Sequence, residues 1–140
     1  MFLWKPAYSL GIEEVDAQHK KLFEYLNELF RGTTLQHNKE TLLNVLNELE
    51  QFGGMHFATE ARYMKKFNYP EINIHLDDHK RFFDDLKTLK SYYDSGVHDQ
   101  AIPLLQFIKH WITNHLAIID LRFYDFMKKN HADELEMFGI

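Results

Sequence analysis

Apolar residues recur three and four positions apart along four stretches of the chain, with polar residues filling the opposite face, which predicts four amphipathic helices joined by short turns. The first is expected after Asp16 as its N-cap, with Leu22, Phe23, Leu26, Leu29 and Phe30 on its apolar side and Gly32 as a left-handed C-terminal cap. The second should start after Asn38 and carry Leu42, Val45, Leu46, Leu49, Phe52, Phe57 and Tyr63 to about Lys66. Phe67-Asn68-Tyr69-Pro70 ends it, because the residue before a proline is pushed out of the helical region. The third runs from about Asn73 to Tyr93 through Phe82, Leu86 and Leu89, closed by Asp94-Ser95-Gly96. The fourth begins near Asp99, admits Pro103 as a residue of its first turn, and continues through Leu104, Leu105, Ile108, Ile112, Ile119 and Phe126 to about Asn130. Residues beyond read as a tail.

Helices of this length with short connections favour antiparallel neighbours. The expected fold is therefore all-α: an up-down-up-down four-helix bundle with Met1–Val15 as an N-terminal arm. Gly53-Gly54 interrupts the second helix, where each glycine costs roughly 0.8–1 kcal/mol relative to alanine. A kink or a tight helix contact would account for the pair, and so would a bend that aims His56.

The chain has 140 residues, 45% of them hydrophobic, enough for one well-filled core and too few for two ordinary domains. A single domain over residues 1–140 is expected. Net charge is −5, and the lysines and arginines form no run, which argues against nucleic acid or an anionic membrane as partner. No segment approaches the roughly 18 apolar residues of a membrane span, and Met1–Gly11 lacks a signal peptide's apolar stretch, so a cytoplasmic location is expected. Cysteine is absent, which removes disulfides, thiolate zinc sites, iron–sulfur clusters and thiol nucleophiles, and leaves His, Asp and Glu as the strong metal ligands.

Nine histidines is a high count, and five of them fall on the apolar stripes. His56 and Glu60 are four apart in the second helix, so they project about 40° from each other with a rise of roughly 6 Å. His75 and His79 repeat that spacing in the third helix, in line with Phe82 and Leu86. His19 lies on the stripe of Leu22 and Phe23. His115 and Asp120 keep phase with Ile108, Ile112 and Ile119, but a five-residue step turns them about 140° apart on a regular α-helix. Both can face one centre only through a π-type widening or a flank-on aspartate.

Burying two carboxylates and five imidazoles without partners would cost several kcal/mol each, against a net stability of about 5–15 kcal/mol for a whole domain. A cation must compensate them. Seven ligands are too many for one tetrahedral zinc, and calcium or magnesium would want more oxygen, so two first-row metals sharing the site are expected.

Taken in order, His19, then His56-Phe57-Ala58-Thr59-Glu60, then His75-Leu76-Asp77-Asp78-His79, then His115-Leu116-Ala117-Ile118-Ile119-Asp120 resembles the ligand series of the hemerythrin family. The likeness spans roughly residues 4 to 127 and includes Trp4, the Gly11-to-Asp16 lead into His19, Tyr69-Pro70 and Trp111. It implies two iron ions with an oxo or hydroxo bridge. His75, His79 and His115 would hold one iron and His19 and His56 the other, with Glu60 and Asp120 bridging. That leaves one coordination position open, at the iron of His19 and His56. The resemblance further implies an apolar oxygen pocket of Leu22, Phe57, Trp111, Ile112 and Leu116, with Trp4 nearby. Three departures stand out: Ala61 replaces a frequent second glutamate, Leu116 stands where isoleucine is common, and Gly53-Gly54 breaks the second helix.

The function so implied is reversible dioxygen binding for storage, delivery or sensing, without catalysis, with a downstream oxygen-consuming enzyme among the partners and the oligomeric state open. A di-iron oxidase or peroxidase, or an iron- or redox-sensing module, is the alternative. Oxygen-activating bundles use more carboxylate than imidazole, and five imidazoles favour binding over activation. His37, His98 and His131 fall in loops or the tail and are expected to be solvated. His110 lies off the ligand phase and is a candidate for proton or ligand access.

Overall fold

The computed structural model describes residues 3–96 and 98–133. After a 3-10 turn at Pro6–Tyr8 come α1 (Glu13–Thr34), α2 (Lys39–Lys66), α3 (Ile72–Ser95) and α4 (His98–Asn114). A π-helix (His115–Asp120) then joins α4 to α5 (Leu121–Asn130) as one continuous rod. The described residues contain no strand, and α1 packs on α2, α2 on α3, α3 on α4 and α4 back on α1, closing a four-helix bundle.

Chain chemistry sets most boundaries as expected. Asn38 caps α2, its side-chain oxygen accepting from the Thr41 N–H at 2.9 Å, an interaction typically worth about 1 kcal/mol. The end of α2 is closed before the proline acts: Asn68 adopts φ 55°, and Tyr69 N–H returns to the Met64 carbonyl at 3.0 Å. Gly96 closes α3 at φ 72°.

Four sequence expectations need correction. α1 begins at Glu13, so Asp16 is no N-cap; its carboxylate instead accepts from the Leu10 N–H at 2.8 Å and the Ser9 hydroxyl at 2.5 Å, fastening the arm to the helix. Gly32 lies inside α1, and the left-handed residue after the helix is Gln36 at φ 55°. Space favours glycine at 32, since a Cβ there would lie 2.9 Å from the Leu42 side chain and 3.1 Å from that of His37, and both would have to shift. Pro103 is the sixth residue of α4, beyond its first turn. His131 is half-buried and packs on Phe67, ring centroids 4.2 Å apart, rather than standing in solvent.

Two apolar clusters flank the middle of the bundle. The larger contains Leu22, Leu26, Leu46, Phe82, Leu86 and Ile108. The smaller, under the arm, contains Leu10, Val15, Met64, Tyr69, Phe123 and Met127. Between them sit the buried histidines and carboxylates. Lys128 pins the arm, its ammonium donating to the Leu10 carbonyl at 2.6 Å. α2 runs unbroken through Gly53-Gly54, and a Cβ at Gly53 would meet Phe82 at 3.3 Å and Leu22 at 3.9 Å. Close helix packing is therefore the reason for that glycine.

Candidate metal centre

All seven candidate ligands converge in the bundle interior, each no more than 5% exposed. α1 delivers His19, α2 His56 and Glu60, and α3 His75 and His79. The widened turn delivers His115 and Asp120, because i-to-i+5 pairing brings residues five apart onto one face. His115 Nε2 and Asp120 Oδ1 end 2.8 Å apart.

The five imidazoles all direct Nε2 inward. His75, His79, His115, Glu60 and Asp120 form one group whose ligand atoms lie within 4.8 Å of one another, and His19, His56 and Glu60 form a second. Asp120 reaches both, with Oδ1 2.9 Å from His75 Nε2 and Oδ2 3.3 Å from His19 Nε2. Glu60 Oε1 lies 3.3 Å from His79 Nε2 and 3.7 Å from His56 Nε2. His19 and His56 bring their Nε2 atoms to 3.1 Å.

Several of these atoms have no hydrogen-bond partner: Nε2 of His75, His79 and His115, Glu60 Oε1 and both Asp120 oxygens. The close His75 and His115 approaches to Asp120 lack hydrogen-bond direction. Six unpaired polar atoms aimed at one buried volume would be costly in a closed core. Their number and type fit a pair of metal ions.

Electrostatics favour positive charge at the centre. Burial depresses His56 to about 4, against the pull of Glu60. Burial depresses His79 as well. Burial also works against ionisation of Glu60, and Asp120 repels it, yet His56 and His79 outweigh both and bring it down to about 2. Asp120 is ionised well below the usual carboxylate range, as its three histidine neighbours overcome burial. At His115 burial opposes charge, but Asp120 and Asp78 raise the imidazole to about 10. A cation at Nε2, whether proton or metal, is what these carboxylates stabilise.

Outer contacts orient the candidate ligands. His115 Nδ1 donates to Asp78 Oδ2 at 2.5 Å, and His56 Nδ1 donates to Gln18 Oε1. Tyr124 donates its hydroxyl to Glu60 Oε2 at 2.6 Å, and burial together with the two carboxylates pushes the phenol well above its usual value. Sequence reasoning missed these three residues. Asp78 and Gln18 each directly precede a candidate ligand in the chain, and Tyr124 follows Asp120 by four, a helical step once the π-turn is granted.

Around the histidines the expected pocket residues Leu22, Phe57, Trp111, Ile112 and Leu116 are buried. Phe57 stacks on His79 at 4.0 Å and Trp111 on His115 at 4.9 Å. Trp4 is half-buried one layer out, edge-on to Tyr8 and Phe23. His37 and His110 are exposed on the surface. His98 begins α4, and its side chain lies outside the described residues.

The hemerythrin HHE cation binding domain matches residues 10–127 of this chain. A bacteriohemerythrin from Clostridium acetobutylicum is 28% identical over 134 residues, covering 89% of this chain and all of the relative. A hemerythrin-like protein from Naegleria gruberi is 31% identical over 122 residues, 87% of this chain and 90% of its own length. A bacteriohemerythrin from Stenotrophomonas maltophilia is 25% identical over 128 residues, 91% of this chain and 82% of its own length.

Proposed function

The chain belongs to the hemerythrin family, and from that premise we propose that it binds dioxygen reversibly at two non-haem iron ions joined by an oxo or hydroxo bridge. His75, His79 and His115 would hold one iron, His19 and His56 the other, and Glu60 and Asp120 would serve both. The observation that carries this reading is the division of inward-facing Nε2 atoms into a group of three and a group of two, with Glu60 and Asp120 each reaching both. When bound, the iron pair supplies the two electrons that dioxygen uptake draws on.

The protein's own side chains set where and how the ligand is held. The position of His75, His79 and His115 would have the larger set of protein ligands, whereas that of His19 and His56 would have fewer and so leave room for a small ligand. Leu22, Phe57, Ile112 and Leu116, all buried, would face it with apolar surface and keep water away. Five imidazoles against two carboxylates keep the centre less anionic than a carboxylate-rich one, which favours binding over activation of dioxygen. In this reading residues 1–140 form one hemerythrin-like domain that acts in the cytoplasm to store, deliver or sense oxygen. Among the described residues no helix is long and apolar enough to cross a membrane.

The test is an optical spectrum of the iron-loaded, reduced protein before air, after air and after deoxygenation. A band that appears with air and disappears when oxygen is removed supports reversible binding. Irreversible oxidation, coupled to turnover of an added reductant, supports the oxidase or peroxidase reading instead.

A further inference from the structure

Two N–H donors from α4 and its π-helical extension meet the two oxygens of a single carboxylate on α3. His115 Nδ1 donates to Asp78 Oδ2 at 2.5 Å, and Trp111 Nε1 donates to Asp78 Oδ1 at 3.1 Å. The donor rings lie four residues apart and stack, centroids 4.9 Å apart and planes 16° apart. Asp78 itself directly precedes His79, so one turn of α3 carries a candidate ligand and the support of another. Among the described residues Asp78 is the one carboxylate bonded to an Nδ1 of the cluster. The contact of His56 is a neutral amide, and the Nδ1 atoms of His19 and His75 have no partner.

We propose that Asp78 is a positioning residue that holds His115 in the tautomer a metal ion requires and ties this ligand to Trp111, a task that needs a carboxylate. The proposal rests on the reading of His115 as a metal ligand. An imidazole can present a lone pair at Nε2 only if its proton sits on Nδ1, and the acceptor at Nδ1 fixes that choice. A carboxylate accepts at both oxygens and satisfies both donors at once. An amide has one accepting oxygen. With asparagine at 78, either Trp111 loses its acceptor, or His115 faces an NH2 group that draws the lone pair to Nδ1 and leaves the proton on Nε2. The second arrangement blocks the ligand. Steric change is minimal, and the Asp78 side chain is 21% exposed, so the amide itself is tolerated.

The experiment compares wild type, Asp78→Asn, Trp111→Phe, the Asp78→Asn/Trp111→Phe double variant and His115→Ala by iron retained per chain against graded chelator. Loss of an outer-shell partner typically costs 10–100-fold in metal affinity, and that fall is expected for Asp78→Asn. Trp111→Phe, which keeps a stacked ring, should cost less. The double variant should regain part of the loss, because the amide oxygen no longer has a competing donor and turns to His115. In a Trp4→Phe background, Asp78→Asn should also shift the emission of Trp111. Unchanged iron affinity in Asp78→Asn, or additive losses in the double variant, overturns the proposal, as does a lowered melting temperature with wild-type iron affinity. If Asp78→Asn does not fold, Asp78→Ala takes its place: it should lose affinity with no recovery from Trp111→Phe, and wild-type affinity there overturns the proposal equally. His115→Ala separates the two levels. Iron loss in that variant without loss in the Asp78 variants sinks only the role of Asp78, whereas wild-type iron in His115→Ala sinks the ligand reading beneath it.

Discussion

The Tyr124 hydroxyl donates to Glu60 Oε2 at 2.6 Å, and neither side chain is exposed. The bond satisfies the one oxygen of Glu60 that does not face the histidines, and so fixes how Oε1 is presented to both halves of the centre. A hydrogen bond to a charged group contributes about 1.5–3 kcal/mol, and a buried carboxylate left short of a donor loses at least that. Tyr124→Phe should lower the melting temperature clearly and weaken iron retention. Thermal denaturation with and without iron checks this, and a wild-type melting temperature would show that the bond does not hold the carboxylate.

How far the chain's own pattern announced this architecture can be judged element by element. Helix starts and stops at Asn38, Lys66 and Gly96, and the ring of helices, come from local chemistry: a side-chain cap, a left-handed residue, apolar periodicity. The failures have a common cause. Asp16 and Gly32 have the composition of caps, but tertiary contacts claim them, Asp16 through the arm and Gly32 through Leu42 and His37. The seven converging residues were legible because helical spacing is regular and the His115-to-Asp120 misfit called for either a π-turn or a flank-on aspartate, of which the π-turn is found. Asp78, Gln18 and Tyr124 were not, since their partners lie 33 to 64 residues away and no periodicity encodes a cross-helix hydrogen bond.

Removal of a bridging carboxylate should cost more than removal of a surface histidine. Glu60→Ala or Asp120→Ala leaves several imidazoles facing a cation they cannot hold alone, whereas His37 is exposed. Metal analysis should give about two irons per chain in wild type and His37→Ala, and markedly less, with a lower melting temperature, in the two carboxylate variants. One tightly bound zinc in wild type, or equal thermal shifts in all three variants, contradicts the assignment.

Without metal, stability should peak near pH 6.5 and fall on both sides. His56 is depressed from 6.5 to about 4, so its neutral form is favoured by folding, and the stability it contributes above pH 6.5 is lost as pH falls toward 4. Glu60, depressed from 4.5 to about 2, adds a further loss as pH falls between those values. His115 has the opposite sign: raised to about 10, it contributes fully below pH 6.5 and loses that contribution as pH climbs to 10. On the proposed reading iron would take the place of the His115 proton, so the alkaline limb should flatten in loaded protein. Denaturant titrations across pH on both forms test this, and an alkaline limb of equal slope with and without iron would contradict it.

Gly53 and Gly54 should respond oppositely to alanine. In a helix interior the change gains roughly 0.8–1 kcal/mol. At Gly54 the new Cβ meets only Phe83, at 4.0 Å, so the gain should appear as a higher melting temperature. At Gly53 it would press on Phe82 at 3.3 Å, and Phe82 is held by Phe57, Phe83 and Trp111. The gain there should be cancelled or reversed. Equal stabilisation by both changes would mean that the bundle yields easily beside the candidate ligands.

On the proposed reading, Leu116→Ser should leave the iron content unchanged while opening the apolar packing beside His115. Leu116 is 1% exposed and directly follows His115, so it is carried by the same widened turn without offering a metal ligand of its own. As an apolar wall it gives an entering water or anion nothing to bond. Serine supplies a hydroxyl and, being smaller, leaves room beside it, the two conditions a stable internal water needs. Azide should therefore bind the oxidised protein faster than in wild type, and protein loaded with oxygen should pass to the oxidised form sooner, the more so with azide present. Stopped-flow spectra with iron counts on the same samples decide the matter: full iron occupancy with wild-type rates in both assays would show that the wall against solvent lies elsewhere, with Leu22, Phe57 and Ile112 the next positions to change.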